Sequence, residues 1–68
     1  MTPEELVEFR DRMGWTQSEL ARQLEMSLSR IQDYEIGWTR NRTPRPAPIP
    51  KVVVLALRWL QEHHRPSD

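Results

Sequence analysis

Helix punctuation constrains this chain more than any other feature. Thr2, Thr16 and Ser27 are hydroxyl residues suited to N-capping, and Gly14 and Gly37 stand where helices stop, all within residues 1–37. In Thr2-Pro3-Glu4-Glu5 the threonine caps, proline sits where its missing N–H costs nothing, and Glu5 reaches back to complete a capping box. The first helix then carries Leu6, Phe9 and Met13 on one stripe and ends at Gly14, with Trp15 folding back on its last turn. Thr16-Gln17-Ser18-Glu19 repeats the box for a second helix facing inward with Leu20, Ala21 and Leu24. After a link of about three residues, Ser27 caps a third helix whose inner face is Ile31 and Tyr34. Such a chain has little room for anything but an all-α fold.

Beyond Gly37 the reading changes. Pro44, Pro46, Pro48 and Pro50 fall at every second position, which forbids a helix and favours a stiff, extended strap over residues 38–50. Pro50 suits the start of a fourth helix over 51–64, ended by Pro66, with 66–68 as a tail. No alternation is long enough to predict a strand. The expectation is one domain, residues 1–65, folded as a compact four- to five-helix bundle.

At 68 residues without cysteine, a single core is near the size limit for independent stability, and neither disulfides nor thiolate metal sites can compensate. Self-association is the expected remedy. The fourth helix is apolar on two stripes: Val53, Ala56, Leu57 and Leu60 suit the protein's own core, whereas Val52, Leu55 and Trp59 would be exposed on a monomer. The expected homodimer interface is therefore Val52, Leu55, Ala56 and Trp59, the alternative being a core wide enough to absorb both stripes. Trp38 and Trp59, as large side chains, call first for a place in the core.

The longest apolar run, Val52–Leu57, is too short to span a membrane, and lack of cysteine and of a signal-like opening predict a cytoplasmic protein. Ten basic and ten acidic residues cancel, yet residues 36–50 hold Arg40, Arg42 and Arg45 with no acid. Nine of the ten cations are arginine, whose planar fork suits phosphate and guanine, so a local anion-binding patch is compatible with a neutral total. Adjacent His63 and His64 lack the spacing that brings two imidazoles to one metal, and no nucleophile triad, acid pair or phosphate loop stands out. No metal, cofactor, small-molecule ligand or enzymatic activity is expected.

A second and third helix joined by so short a turn make the geometry that fits a helix into the DNA major groove. In TQSELARQLEMSLSRIQDYEIG, the residues Gln17, Glu19, Leu20, Ala21, Ile31, Tyr34, Glu35 and Gly37 resemble the helix-turn-helix of the phage repressor and Cro group. The resemblance covers residues 3–37 and implies a lambda repressor-like DNA-binding domain, with an internal ion pair between Arg10 and Glu35. It implies base reading at Leu28, Ser29 and Asp33, with Arg30 and Gln32 adjacent on the same outer face, and a backbone contact from Gln17. Phosphate contacts are expected at Thr16, Gln17 and Ser27 and in the loop at Arg40, Arg42 and Arg45. The bland alternatives are a solvated helix face closed by an Arg30–Asp33 pair and a merely solvated loop.

The sequence departs from that group at Glu25, where the turn usually has glycine; a glutamate forced left-handed costs about 1 kcal/mol unless the turn differs. The segment RTPRPAPIPKVVVLALRWL resembles the tail of small phage regulators encoded beside anti-CRISPR genes. That resemblance implies a homodimer in a bacterial host, bound to an inverted repeat in its own promoter and repressing it. An antitoxin on the same scaffold, or a protein-interaction adaptor suited by the neutral charge and acidic Asp33, are the alternatives.

Overall fold

The computed structural model describes residues 1–63 and contains, among them, four helices and no strand: α1 (Pro3–Met13), α2 (Gln17–Leu24), α3 (Leu28–Ile36) and α4 (Lys51–His63). No helix is long and apolar enough to cross a membrane among these residues. The fifth helix allowed by the sequence does not form within them. His64, Arg65 and the 66–68 tail, including Pro66, lie outside the described residues.

Capping sets the helix limits. At α1, the Glu5 N–H donates to Thr2 Oγ1 at 3.2 Å while the Thr2 N–H donates to Glu5 Oε1 at 2.9 Å, a complete reciprocal box. At α2 only the forward bond forms, Glu19 N–H to Thr16 Oγ1 at 3.1 Å, because the Glu19 side chain does not return to the cap. Ser27 Oγ accepts from the Arg30 N–H at 3.2 Å and starts α3. Gly14 closes α1 in the left-handed region at φ 71°, and the following Trp15 N–H bonds back to Arg10 O at 3.1 Å. The Trp15 ring thereby meets Phe9 edge-on at 6.2 Å. Gly37 ends α3 at φ 92°, where its missing side chain leaves Pro3 Cγ 3.4 Å from the place a Cβ would occupy. A helix start and a helix end thus close on one another.

The turn from α2 to α3 passes through Glu25 at φ 54° and ψ 43°, the left-handed conformation itself. Of the two outcomes open for this residue, the strained one occurs. The Glu25 and Met26 N–H groups close the turn onto Arg22 O and Ala21 O, so two backbone bonds hold what a glycine would adopt freely.

The core joins all four helices. Leu6, Phe9 and Met13 of α1, Leu20 and Ala21 of α2, Ile31 and Tyr34 of α3, and Val53, Leu57 and Leu60 of α4 are buried with Trp15. Leu24, Met26, Ala47 and Ile49 pack on it from the edge. Within this core α3 packs on both α1 and α2.

The connection over residues 38–50 is not one extended strap. It doubles back: Trp38 pairs with Pro46 in an isolated antiparallel bridge, Thr39 N–H donates to Arg45 O at 2.9 Å, Arg45 N–H to Thr39 Oγ1 at 3.0 Å, and Ala47 N–H to Gly37 O at 2.9 Å. Only the stretch after this clasp runs out as expected, with Ala47 and Ile49 half-buried and Pro46, Pro48 and Pro50 exposed. The prolines occupy the positions that face away from the core, where a missing N–H is not missed. Trp38 corrects the core expectation: it is 52% exposed, because the bridge uses its backbone and leaves Ala47 and Ile49 to cover the core.

Candidate nucleic-acid interface

Ile31 and Tyr34 pin α3 to the core and Glu35 turns back to Arg10 of α1, which leaves Leu28, Ser29, Arg30, Gln32 and Asp33 on the other side of the helix. Leu28, Ser29 and Arg30 are exposed; Gln32 and Asp33 are half-buried. The Arg30–Asp33 pair of the bland reading does not form. Asp33 Oδ1 instead accepts from Arg40 Nε at 3.1 Å, a partner from the loop.

Arg40 makes further contacts. Its Nη2 donates to Gln32 Oε1 at 2.7 Å and lies 3.4 Å from Ser29 Oγ and 3.5 Å from Ser29 O. The guanidinium thus lies across three residues of the face, Ser29, Gln32 and Asp33. No local spacing announces this, since Arg40 arrives from beyond the end of the helix through the clasp of Thr39 and Arg45.

Behind the face lies a second set of polar contacts. Arg10 Nε donates to Glu35 Oε2 at 2.8 Å and Arg10 Nη2 to Glu35 Oε1 at 3.1 Å, a two-pronged pair. Arg10 Nη1 also donates to Trp15 O at 3.1 Å. Glu35 is only 6% exposed, and Arg10 19%. The hydrogen bond to the Glu35 carboxylate holds the Arg10 guanidinium pKa above its ordinary value. Gln17, the first residue of α2, donates from Nε2 to Glu35 Oε1 at 3.1 Å and accepts from Gln32 Nε2 through a longer 3.4 Å contact. One chain of side-chain bonds therefore runs from α1 to the outer surface of α3: Arg10, Glu35, Gln17, Gln32, Arg40, Asp33. Both ends of the Gln17 and Gln32 amides are engaged in it. The Arg10–Glu35 pair is the one the resemblance implied, whereas the bonds that join Gln17, Gln32, Asp33 and Arg40 to it and to one another were not read from the sequence.

Of the expected phosphate residues, Gln17 and Arg40 are taken up in this chain of bonds, and the other four fall into two groups. Thr16 and Ser27 spend their acceptor oxygens on capping, which leaves their hydroxyl hydrogens and the first-turn amides toward solvent. Arg42 and Arg45 are exposed in the loop, where their side chains form no ion pair among the described residues. A cleft of about 450 Å³ separates α3 from the loop, bounded by Ser27, Ser29, Arg30, Asp33, Thr39 and Asn41 among others.

On α4, Val52, Leu55 and Trp59 are 70%, 50% and 57% exposed, with Ala56 half-buried beside them. The Trp59 ring stacks on His63 at 4.4 Å, and His63 Nδ1 lies 2.8 Å from Trp59 O. No group of three or more potential metal ligands occurs among the described residues.

Two capped helices set at a tight turn, the second fixed on the core by its inner face and polar on its outer face, define a helix-turn-helix domain. A helix-turn-helix family model matches residues 6–47, which is more than half of the chain, and the chain belongs to that family. The family is of the Cro/C1 type, and its members are DNA-binding regulators of transcription rather than enzymes. Comparison with curated proteins and with solved structures found no match.

Proposed function

We propose that this chain is a homodimeric, sequence-specific repressor that binds an inverted-repeat operator in double-stranded DNA and regulates its own operon in a phage or other mobile element, one carrying anti-CRISPR genes. The observation that carries the DNA-reading part is the outer face of α3, where Leu28, Ser29, Arg30, Gln32 and Asp33 lie together opposite a buried face of Ile31 and Tyr34. A helix anchored this way can enter the major groove, where arginine reads guanine, glutamine reads adenine and a methyl-bearing side chain touches thymine. Thr16, Gln17 and Ser27 at the two helix starts, with Arg42 and Arg45 in the loop, flank that face and suit phosphates on either side.

The dimer rests on α4. Val52, Leu55 and Trp59 form an exposed apolar stripe among the described residues, with the Trp59 ring stacked on His63, and Ala56 lies between two shallow hollows of about 240 and 310 Å³ that share Leu24. A two-fold axis along this stripe would bring the same surface of each copy together. The adaptor reading drew on the neutral net charge and on the acidic Asp33, and the pairing of Asp33 with Arg40 weakens the second of these.

The test is a gel-shift on the duplex immediately upstream of the chain's own reading frame. Binding is expected to an inverted repeat with half-site centres about 34 Å apart. A five-base-pair insertion between half-sites turns one to the opposite face and should abolish tight binding; unchanged affinity would overturn the dimeric geometry, and no binding upstream would overturn self-repression.

A further inference from the structure

The geometry points to Arg40 as a base-reading residue, aimed by Asp33 and Gln32, and not as one of the loop's phosphate anchors. The inference rests on the DNA-reading assignment of α3 and adds to it a residue from outside the helix.

Three observations carry it. Arg40 is pre-placed: the Thr39–Arg45 clasp fixes the backbone just before it, and Asp33 Oδ1 at 3.1 Å and Gln32 Oε1 at 2.7 Å hold its head. One exposed ion pair alone holds a side chain weakly, whereas a second bond and a fixed backbone leave little freedom to lose on binding. Second, Nε and Nη2 are turned to the protein, so Nη1 forms no hydrogen bond among the described residues, and the side chain is 47% exposed. Nη1 can donate one hydrogen to the O6 or the N7 acceptor of a guanine edge while Nε and Nη2 stay on the protein.

Third, the charge of Arg40 already has its counterion. A phosphate anchor exchanges solution ions for phosphate, and that exchange gives binding its salt dependence. Moving Arg40 to a phosphate would leave Asp33 as a bare carboxylate beside the DNA. Keeping the pair intact on the reading face avoids that repulsion, and Asp33 then acts as a positioning residue. Arg42 and Arg45, without carboxylate partners among the described residues, remain the anchors.

The experiment is selection from a randomised duplex library by the full chain and by Arg40→Ala, Arg40→Lys, Asp33→Asn and Arg42→Ala, followed by salt titrations on the selected and a random duplex. Circular dichroism checks that each variant is helical. Both Arg40 variants should lose a guanine preference at one position per half-site, with discrimination there falling on the order of 5-fold, the low end of the range for a bidentate contact. Arg40→Lys keeps the charge but cannot hold Asp33 and Gln32 with a fixed fork while presenting a further donor in the same place, so its failure to rescue separates aimed reading from charge. Asp33→Asn should lose the same preference while binding random duplex more tightly, with a salt slope steeper by up to about 0.9, because it frees a cation. Arg42→Ala should keep the preference and flatten the slope by about 0.9.

The inference is overturned if Arg40→Lys selects the parent's sequence, if Asp33→Asn leaves preference and slope unchanged, or if Arg40→Ala weakens selected and random duplex equally. If the unmutated chain enriches no sequence and its binding does not respond to salt, the DNA-reading assignment itself fails, and this inference with it.

Discussion

The outer faces of α3 and α4 are organised on opposite principles. On α3, Gln32, Asp33 and Ser29 are held by Arg40 from the front, and Gln32 is tied through Gln17 to the Arg10–Glu35 pair behind. On α4, Val52, Leu55 and Trp59 are largely exposed, and the one ring contact among them is that of Trp59 with His63 of the same helix. Directional bonds fix where a polar group points before any partner arrives, which suits a surface that must discriminate. Apolar contact is non-directional and needs only a matching surface, which suits one that must adhere. The contrast predicts that damage to the first face appears in stability and specificity, and damage to the second in assembly.

The strongest way to break the contrast is Arg10→Met. It leaves the nearly buried Glu35 carboxylate with Gln17 alone, and such a loss should cost about 3 kcal/mol in denaturant unfolding, with Arg10→Met/Glu35→Leu recovering more than half. A loss under about 1 kcal/mol would mean that the chain of bonds does not hold the face. Next comes Leu55→Ser with Trp59→Ser. Dimer affinity should fall by about 2 kcal/mol or more, roughly 30-fold, in sedimentation or light scattering, while helical content stays as it was. A double variant that remains dimeric would place the interface elsewhere.

Glu25→Gly sharpens the comparison at the turn that aims α3. Relief of the left-handed strain is partly offset by the greater freedom of glycine in the unfolded chain, so a gain between a few tenths and about 1 kcal/mol is expected in thermal unfolding. The smallest effect belongs to Glu5. The Thr2 backbone N–H, followed by its hydroxyl, holds the Glu5 carboxyl below its ordinary value of 4.5. A lowered folded pKa gives stability that is present above 4.5 and is lost as pH falls through the folded value. Glu5→Gln should therefore lower stability slightly at neutral pH, leave the acid end unchanged, and so flatten the acid side of the stability–pH curve.

Much of the architecture was legible because its signals are local. Thr2, Thr16, Ser27, Gly14 and Gly37 act within one turn of where they stand, and the apolar stripes needed only helical spacing. What escaped depends on distant residues. The doubling-back of residues 38–47 rests on bonds between Thr39 and Arg45 and between Gly37 and Ala47, which no propensity encodes. Once that fold-back was missed, Trp38 was assigned inward, and the arrival of Arg40 on Asp33 could not be foreseen from an i, i+3 rule that offered Arg30 first. Glu25 is the opposite case: its departure from glycine was visible, but only the backbone bonds to Arg22 and Ala21 decide which way the turn resolves.

The clasp also bears on the order in which the molecule assembles. By pinning Ala47 to Gly37 at the end of α3, it shortens the path to α4 from residues 38–50 to residues 48–50, and two of those are proline. For a flexible tether, that contraction lowers the closure cost of docking the last helix by about 1 kcal/mol. The helix bearing the apolar stripe can therefore join the core late and still cheaply, and the tip of the loop beyond the clasp is free to change length without moving either end.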